Sequence, residues 1–263
     1  MCAVRPTPRR SSANTASRCS NPSPESRTRV FSPDELTALW LSAKVAFWAT
    51  LLCLPPGIGL SWWLARRDSR GKLALEVLVQ LPMVLPPVVP GYILLLLLGN
   101  QGLIGRWLNE QFGVSIAFTW KGAVLASAVM AFPLMVQPVR LAFAMIDRRL
   151  EQAATTLGAP PWRVFLSITL PLALPGIIAG LVLCFSRSLG EFGATMAFVG
   201  SIPGETRTVP LAIYGYTHVP GGEEAAQRLA ILSIVLAGAA LTAAHIINRR
   251  AERLLGYRPH AEH

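Results

Sequence analysis

The chain has 263 residues, of which 52% are hydrophobic and only 14% are charged, and its formal net charge is +10. Ordinary soluble domains carry about 25% charged residues, so this chain has roughly half of the usual supply. The mean hydropathy of +0.45 points the same way. So few charges could not keep a whole surface in water, which argues against a soluble globular enzyme.

Five apolar blocks of membrane length predict an all-α fold, namely a polytopic transmembrane helical bundle. A helix needs about 20 mostly apolar residues to cross a bilayer. The third block contains one charge, Arg140, and the fifth contains His245 near its end. The predicted spans are 45–64, 77–98, 123–145, 171–186 and 229–247.

The segment before the first block has a different composition. Residues 1–30 are rich in Ser, Pro and Arg with almost nothing apolar, so we expect a disordered tail. Two alternatives stay open: a transit-like or regulatory tail, and a translation start at Val30 that would remove the segment. The rest divides into a membrane domain at 31–250, with a cytoplasmic loop at 147–171, and a C-terminal tail at 251–263.

Basic residues between the blocks predict the orientation of the bundle. Lys and Arg are concentrated after the first, third and fifth blocks, and basic loops lie on the cytoplasmic side. We therefore expect a cytoplasmic C-terminus and a periplasmic N-terminal side. The basic residues in these stretches are Arg66, Arg67, Arg70, Lys72, Arg148, Arg149, Arg163, Arg249, Arg250, Arg253 and Arg258.

Prolines interrupt several of the predicted spans. Pro55 and Pro56 precede Gly57 in the first block, and four prolines crowd the first half of the second. Proline removes a backbone donor and bends a helix, and in lipid each freed carbonyl needs another partner. The four prolines of the second block favour a moving or pathway-lining helix, whereas packing kinks explain any single proline equally well.

The loop at 147–171 has the pattern of a helix, a turn and a second helix. Good helix formers run up to Leu157, and Gly158 is suited to end the helix. Pro160 and Pro161 forbid its continuation but suit the first turn of a new helix. The side chains expected together on the exposed apolar face are Trp162, Phe165 and Leu166. Such a surface on the cytoplasmic side requires a partner.

The same loop resembles the EAA loop of ABC-importer permeases. That motif consists of EAA, three residues, Gly, nine residues, Ile, one residue and Leu-Pro, and Ala153, Ala154 and Gly158 fall in its register. Its first position is Gln152 here, with Glu151 just before it. The residues predicted to couple the chain to an ATPase are Glu151, Gln152, Ala153, Ala154, Gly158, Trp162, Ile168 and Pro171.

This resemblance implies a type I ABC-importer permease architecture, in which the loop docks on a separate ATPase subunit. The sequence contains no GxxxxGK[ST] phosphate loop, so we do not expect the chain to bind ATP by that route. It is therefore predicted to be a transporter subunit and not an enzyme.

Two further stretches resemble the permease subunit of molybdate ABC transporters. They are SLGEFGAT at 188–195 and IPGETRT-PLAIY at 202–214, and the similarity covers residues 31–247. It implies that the chain moves molybdate across the bacterial inner membrane by alternating access. The implied partners are an ABC ATPase subunit, a periplasmic molybdate-binding protein, a second copy of the chain and membrane lipid. No nucleic acid, cofactor or metal is expected.

A charged pair in an apolar stretch is the candidate for the translocation pathway or its gate. Arg187 and Glu191 are four residues apart, so on a helix they share a face and can pair. Ionisable residues at membrane depth usually face the bundle interior or water. A structural ion pair that tethers helices is the alternative. The candidate residues are Arg187, Ser188, Gly190, Glu191, Gly193 and Thr195.

The remaining charges of the spans are interpreted as interfacial. Lys44 could attract an anion near the outer mouth or reach toward headgroups, which is the commoner behaviour. Arg140 is expected to anchor the cytoplasmic end of the third span, and His245 is expected at the interface rather than as a ligand.

Three alternative functions stay open. An ABC permease for sulfate, thiosulfate or tungstate differs only in cargo, because these anions are close to molybdate in shape and charge. A proton-coupled secondary transporter could use Glu191 as proton carrier, but it would not explain the EAA-like loop. A non-transporting scaffold is disfavoured by the proline-broken spans.

Overall fold

The computed structural model describes residues 32–67 and 70–254, and the regular structure in these ranges is helical. The predicted tail at 1–30 and the C-terminal tail beyond Leu254 lie outside the described residues, as does the side chain of His245. The helices are α1 (Pro33–Arg66), α2 (Lys72–Val84), α3 (Val88–Leu98), α4 (Leu103–Phe112), α5 (Trp120–Met145), α6 (Arg148–Thr156), α7 (Pro161–Val164), α8 (Leu170–Leu189), α9 (Gly193–Val199), α10 (Val209–Thr217) and α11 (Glu223–Leu254).

The prediction of about five spans is confirmed. Within the described ranges, four helical segments are long and apolar enough to cross a membrane: α1, α5, the combined segment Pro161–Leu189, and Glu223–Thr242 in α11. Helices α2 and α3 supply a fifth span if they are counted together, although they meet at an angle of 109°. The segment Pro161–Leu189 joins α7 to α8 through a π-helical turn at Phe165–Thr169.

The second span, predicted over 77–98, is broken at its prolines into two helices. Helix α2 ends at Val84, and α3 begins at Val88 in a new direction. Leu85 is extended, with ψ of 147°, because the ring of a following proline disfavours the helical conformation. Pro86 and Pro87 then remove two consecutive backbone donors. The break therefore falls at the proline pair.

The first span, in contrast, is not interrupted where its prolines predicted a break. Helix α1 runs unbroken through Pro55 and Pro56, whose side chains are exposed. Gly57 beside them is buried, and a Cβ at this position would lie 2.9 Å from Cγ of Met135 in α5. We attribute the continuity to this close packing, which holds both halves of α1 against the same neighbour.

Helix α5 is the axis of the bundle, with α1 on one side and α8 on another. Small side chains such as Ala126 and Ala131 are fully buried in it. A Cβ at Gly180 of α8 would lie 2.9 Å from the carbonyl oxygen of Met135, so the glycine permits this close crossing. Ser61 of α1 donates a hydrogen bond of 3.0 Å to the carbonyl of Val136.

A second, smaller cluster joins α10 and α11 to the first turns of α1. The hydroxyl oxygen of Ser42 accepts a hydrogen bond of 2.7 Å from the backbone N–H of Val209, the first residue of α10. Arg228 of α11 pairs with Glu35 at 3.1 Å, and the side chain of Glu35 is 1% exposed. These polar contacts attach the last helices to the start of the bundle.

Candidate functional site

The loop between α5 and α8 begins with a capped short helix. The carboxylate of Asp147 accepts a hydrogen bond of 2.9 Å from the backbone N–H of Arg149 and so caps the start of α6. Gln152 and Ala153 are exposed on this helix, whereas Glu151 and Ala154 are half-buried. The motif residues thus occupy two faces, of which one is open and the other packs on the bundle.

Helix α6 ends in a turn that only a glycine makes easily. Gly158 has φ of +83°, and the space around its Cα is open. The N–H of Gly158 donates to the carbonyl of Thr155 at 3.0 Å, and that of Ala159 donates to Ala154 at 3.1 Å. This pair of bonds is a Schellman motif. Helix α7 then begins at Pro161, so the predicted helix–turn–helix is confirmed.

The predicted apolar face of this hairpin is only partly correct. Trp162 and Leu166 are exposed, and Leu157 at the turn is 88% exposed. Phe165 instead points inward, where its ring meets the ring of Trp62 edge-on at 5.7 Å. Spacing on an ideal α-helix groups Phe165 with Trp162, but it does not indicate that the ring of Phe165 packs on Trp62 of α1. Ile168 and Pro171 are half-buried behind the hairpin.

An ion pair fixes the hairpin to the end of α1. Arg66 Nη2 lies 2.6 Å from Glu151 Oε1, and the two side chains are 10% and 23% exposed. The hydroxyl of Thr169 donates to the same carboxylate oxygen at 2.7 Å. Arg148 also donates to the carbonyl oxygen of Arg66 at 3.3 Å. Sequence reasoning treated Arg66 only as a topological charge, and one sequence carries no signal that pairs it with a glutamate 85 residues away.

The predicted Arg187–Glu191 pair is present, but it does not lie along a helix. Helix α8 ends at Leu189, and the pair spans its end with Arg187 Nη1 at 2.6 Å from Glu191 Oε2. The side chain of Glu191 is 1% exposed, and its other oxygen accepts a hydrogen bond of 2.9 Å from the N–H of Ala194 at the start of α9. The carboxylate therefore connects α8 to α9.

The other candidate pathway residues divide into two groups. Gly193 lies close to the bend between α2 and α3, because a Cβ on it would be 2.6 Å from Cβ of Pro87. Ser188 and Thr195 are buried, and the hydroxyl of Thr195 donates to the carbonyl of Phe192 at 2.9 Å. Gly190, in contrast, is exposed and has open space around it.

Two charges interpreted as interfacial have specific partners. Lys44 Nζ lies 3.7 Å from the ring centroid of Trp120, which is a cation–π contact. Arg140 Nη1 lies 2.6 Å from Oε1 of Glu76 in α2. Among the described residues, no group of three or more His, Cys, Asp or Glu side chains could hold a metal ion.

Comparison with known proteins identifies the family of this chain. The family described as "Binding-protein-dependent transport system inner membrane component" matches residues 57–253. The molybdenum transport system permease protein ModB of Haemophilus influenzae is 51% identical over 222 residues, which cover 84% of this chain and 97% of that protein. ModB of Escherichia coli K12 is 56% identical over 208 residues, or 79% and 91% of the two chains.

Solved structures share the fold at low sequence identity. A bacterial ABC transporter involved in the import of alginate superposes with a TM-score of 0.68 and 20% identity, over 84% of this chain and 80% of that one. The MetNI methionine ABC transporter, in an inward-facing form, superposes with a TM-score of 0.63 and 17% sequence identity. The match covers 84% of this chain and 99% of that one. The architecture is that of type I ABC-importer permeases, and the chain belongs to the family of binding-protein-dependent transport system inner membrane components.

Proposed function

We propose that the chain is the membrane-spanning permease subunit of an ABC importer that carries molybdate across the bacterial inner membrane. The identities of 51% and 56% to two ModB proteins, over about four-fifths of the chain, carry this proposal. Such a subunit is not an enzyme, since ATP hydrolysis belongs to a separate ATPase subunit. It works by alternating access, in which the bundle opens first to one side and then to the other.

The hairpin of α6 and α7 is the proposed docking surface for the ATPase. Its exposed apolar side chains, Leu157 and Trp162, support this role, because apolar surface that water would cover favours a partner. The basic residues near it support a cytoplasmic location for this end, with the C-terminus on the same side and the N-terminal side in the periplasm. A second copy of the chain, surrounding lipid and a periplasmic molybdate-binding protein at 200–228 complete the assembly.

The segment around the Arg187–Glu191 pair is the proposed pathway lining or gate. Its location supports this role, because Gly193 packs against the bend of the broken span and Glu191 connects two helices. A change in the angle between α8 and α9 would have to break or remake this carboxylate's contacts. The proposed residues remain Arg187, Ser188, Gly190, Glu191, Gly193 and Thr195.

Isolation of the complex tests the proposal as a whole. We expect the tagged chain, extracted from membranes in detergent, to co-purify with an ATPase subunit. In proteoliposomes, the molybdate-loaded binding protein should raise ATP hydrolysis, whereas sulfate-loaded or empty binding protein should not. A chain that purifies alone and transports without nucleotide would contradict the proposal and favour proton coupling through Glu191.

Gly158→Val is expected to uncouple ATP hydrolysis from uptake. A left-handed conformation costs a residue with a side chain about 1–2 kcal/mol, and the strain would distort the turn that presents Leu157. Gly113→Val is the matched control, because Gly113 also has positive φ and open space but follows α4. Uptake per ATP hydrolysed is the measurement. Equal loss of coupling in both variants would show that the effect is not specific to the hairpin.

Exchange of the charges of Arg66 and Glu151 tests the link between the hairpin and α1. Each single reversal, Arg66→Glu or Glu151→Arg, should lower uptake per ATP, because one charge-assisted contact is worth about 1.5–3 kcal/mol. The double reversal should restore it in large part. Arg106→Gln, which removes an exposed ion pair with Glu110, is the control and should change nothing. A double variant as defective as the singles would argue against a direct pair.

Arg187→Ala is expected to abolish uptake while the assembled complex survives. Because the substitution leaves Glu191 buried without its partner, a loss of about 3–5 kcal/mol could prevent folding. The double variant Arg187→Gln/Glu191→Gln keeps a neutral hydrogen-bonding pair and leaves no unpaired buried charge, so it tests the role of the charges without this loss of stability. Normal uptake by the double variant would show that the pair is structural only. Size-exclusion chromatography of the complex reports assembly in both.

A further inference from the structure

A partly open cavity lies between α2 and α5 and contains the Arg140–Glu76 ion pair. Its volume is about 620 Å³, and α1 and α8 contribute one apolar residue each to its wall. Most of the lining is apolar, and the exposed side chains of Gln80 and Gln137 lie at its open side. Four side chains that carry charges or amides are exceptions, and these are Glu76, Gln80, Gln137 and Arg140.

The charged pair in this cavity is only partly enclosed. Arg140 Nη1 lies 2.6 Å from Glu76 Oε1, and the side chains are 38% and 21% exposed. A guanidinium has five N–H donors, of which one carboxylate engages two at most. Arg140 therefore retains the capacity to bind a second anion that enters the cavity, and the amide groups of Gln80 and Gln137 offer further donors from the wall.

The position of the pair along the helices places it at the end of the bundle where the hairpin lies. Arg140 comes five residues before the last residue of α5, and Glu76 comes four residues after the first residue of α2. With a rise of about 1.5 Å per residue, both lie about 6–8 Å inside the helix ends. Ionisable groups within membrane-spanning helices are costly and usually face water or the bundle interior.

We propose that this cavity is a transient site for the transported tetrahedral oxyanion, where Arg140, Gln80 and Gln137 donate hydrogen bonds to it. Glu76 is the counter-ion that shares Arg140 with the cargo and competes with it for the guanidinium. This inference rests on the proposed function and extends it to specific residues. It replaces the earlier interpretation of Arg140 as an interfacial anchor.

The presence of Glu76 accounts for the weakness that a transport site needs. A permease passes its cargo on, so a cage of unopposed positive charge would hold a dianion too long. A carboxylate at 2.6 Å competes for the same guanidinium and repels the dianion. The volume suits a hydrated ion, since one water molecule occupies about 30 Å³ of liquid. The apolar remainder of the wall offers the ion no further partners.

Three variants separate cargo binding from a structural role of the pair. They are Arg140→Gln, Glu76→Gln and the double variant, each prepared as the complete complex with its ATPase and binding protein. We expect Arg140→Gln to lower molybdate uptake by about tenfold to a hundredfold, which is the range for one charge-assisted hydrogen bond. The double variant should stay defective although its pair is neutral. Double-variant uptake at the wild-type rate would overturn the proposal.

A binding measurement that needs neither ATP nor transport completes the test. Radiolabelled molybdate is dialysed against the complex without the binding protein. Glu76→Gln should bind about tenfold more tightly than the wild type, because the competing carboxylate is gone. Arg140→Gln should lose binding. Affinity in Glu76→Gln no higher than in the wild type would contradict the proposal, even if the wild-type complex imported nothing and the proposed function itself had failed.

A lipid phosphate could occupy the same donors, and vesicle composition distinguishes the two sources. Uptake by the Arg140→Gln complex is compared in vesicles of phosphatidylcholine and in vesicles that also contain phosphatidylglycerol. If the cavity binds cargo, Arg140→Gln should lower uptake by the same factor in both kinds of vesicle. A defect that appears only with the anionic lipid would assign the cavity to a headgroup and overturn the proposal. Arg106→Gln, outside the cavity, should transport normally in either.

Discussion

Charge pairing between helices is the constraint on which the arrangement of this molecule depends. Ionised groups are costly in the hydrocarbon region unless a partner or water is near. Three of the ion pairs connect segments that are far apart in sequence: Glu35 to Arg228, Arg66 to Glu151, and Glu76 to Arg140. Each pair attaches a helix at its end, where a small movement has a large effect on the angle between helices.

This pairing also explains how a loosely packed chain keeps its shape. Helices α2 and α11 bury few side chains, and α2 buries none within the described part of the chain. In lipid, apolar side chains gain little from burial, so specific polar contacts and close approaches of small residues must position such helices. The ion pairs supply the first kind of contact, and glycines such as Gly180 supply the second.

Much of the fold could be predicted from the sequence, because its signals were local. Span length, basic loops and the pattern around Gly158 each depend on residues that are neighbours in the chain. The hairpin turn was predicted correctly for this reason. The wrong expectations, by contrast, depended on packing. Proline patterns alone could not distinguish the broken second span from the unbroken first one. The contact that we hold responsible for the continuity of α1 joins Gly57 to Met135, which lies in another helix. Phe165 was misplaced because its ring packs on Trp62 of α1, a contact that spacing within the loop does not indicate.

In the candidate site, too, features that depend on neighbouring residues were predicted, and contacts between distant residues were not. The pairing of Arg187 with Glu191 followed from their spacing, and the resemblance of the loop to a known motif led to the proposal that the hairpin couples the chain to an ATPase. The contact of Glu151 with Arg66 and the cavity around Arg140 involve partners 85 and 64 residues apart. A single sequence does not indicate which residues pair when they are so far apart in the chain.

The bend between α2 and α3 has a consequence for the order in which the protein can form. Helix α3 packs on α9 so closely that a Cβ on Gly91 would lie 2.5 Å from the carbonyl oxygen of Ala194. About a hundred residues separate the two, which a ribosome adds in about 5–20 s. During that interval α3 can contact α4 and α5 but not α9. The bent form of the second span therefore gains its contact with α9 only after synthesis has passed that helix.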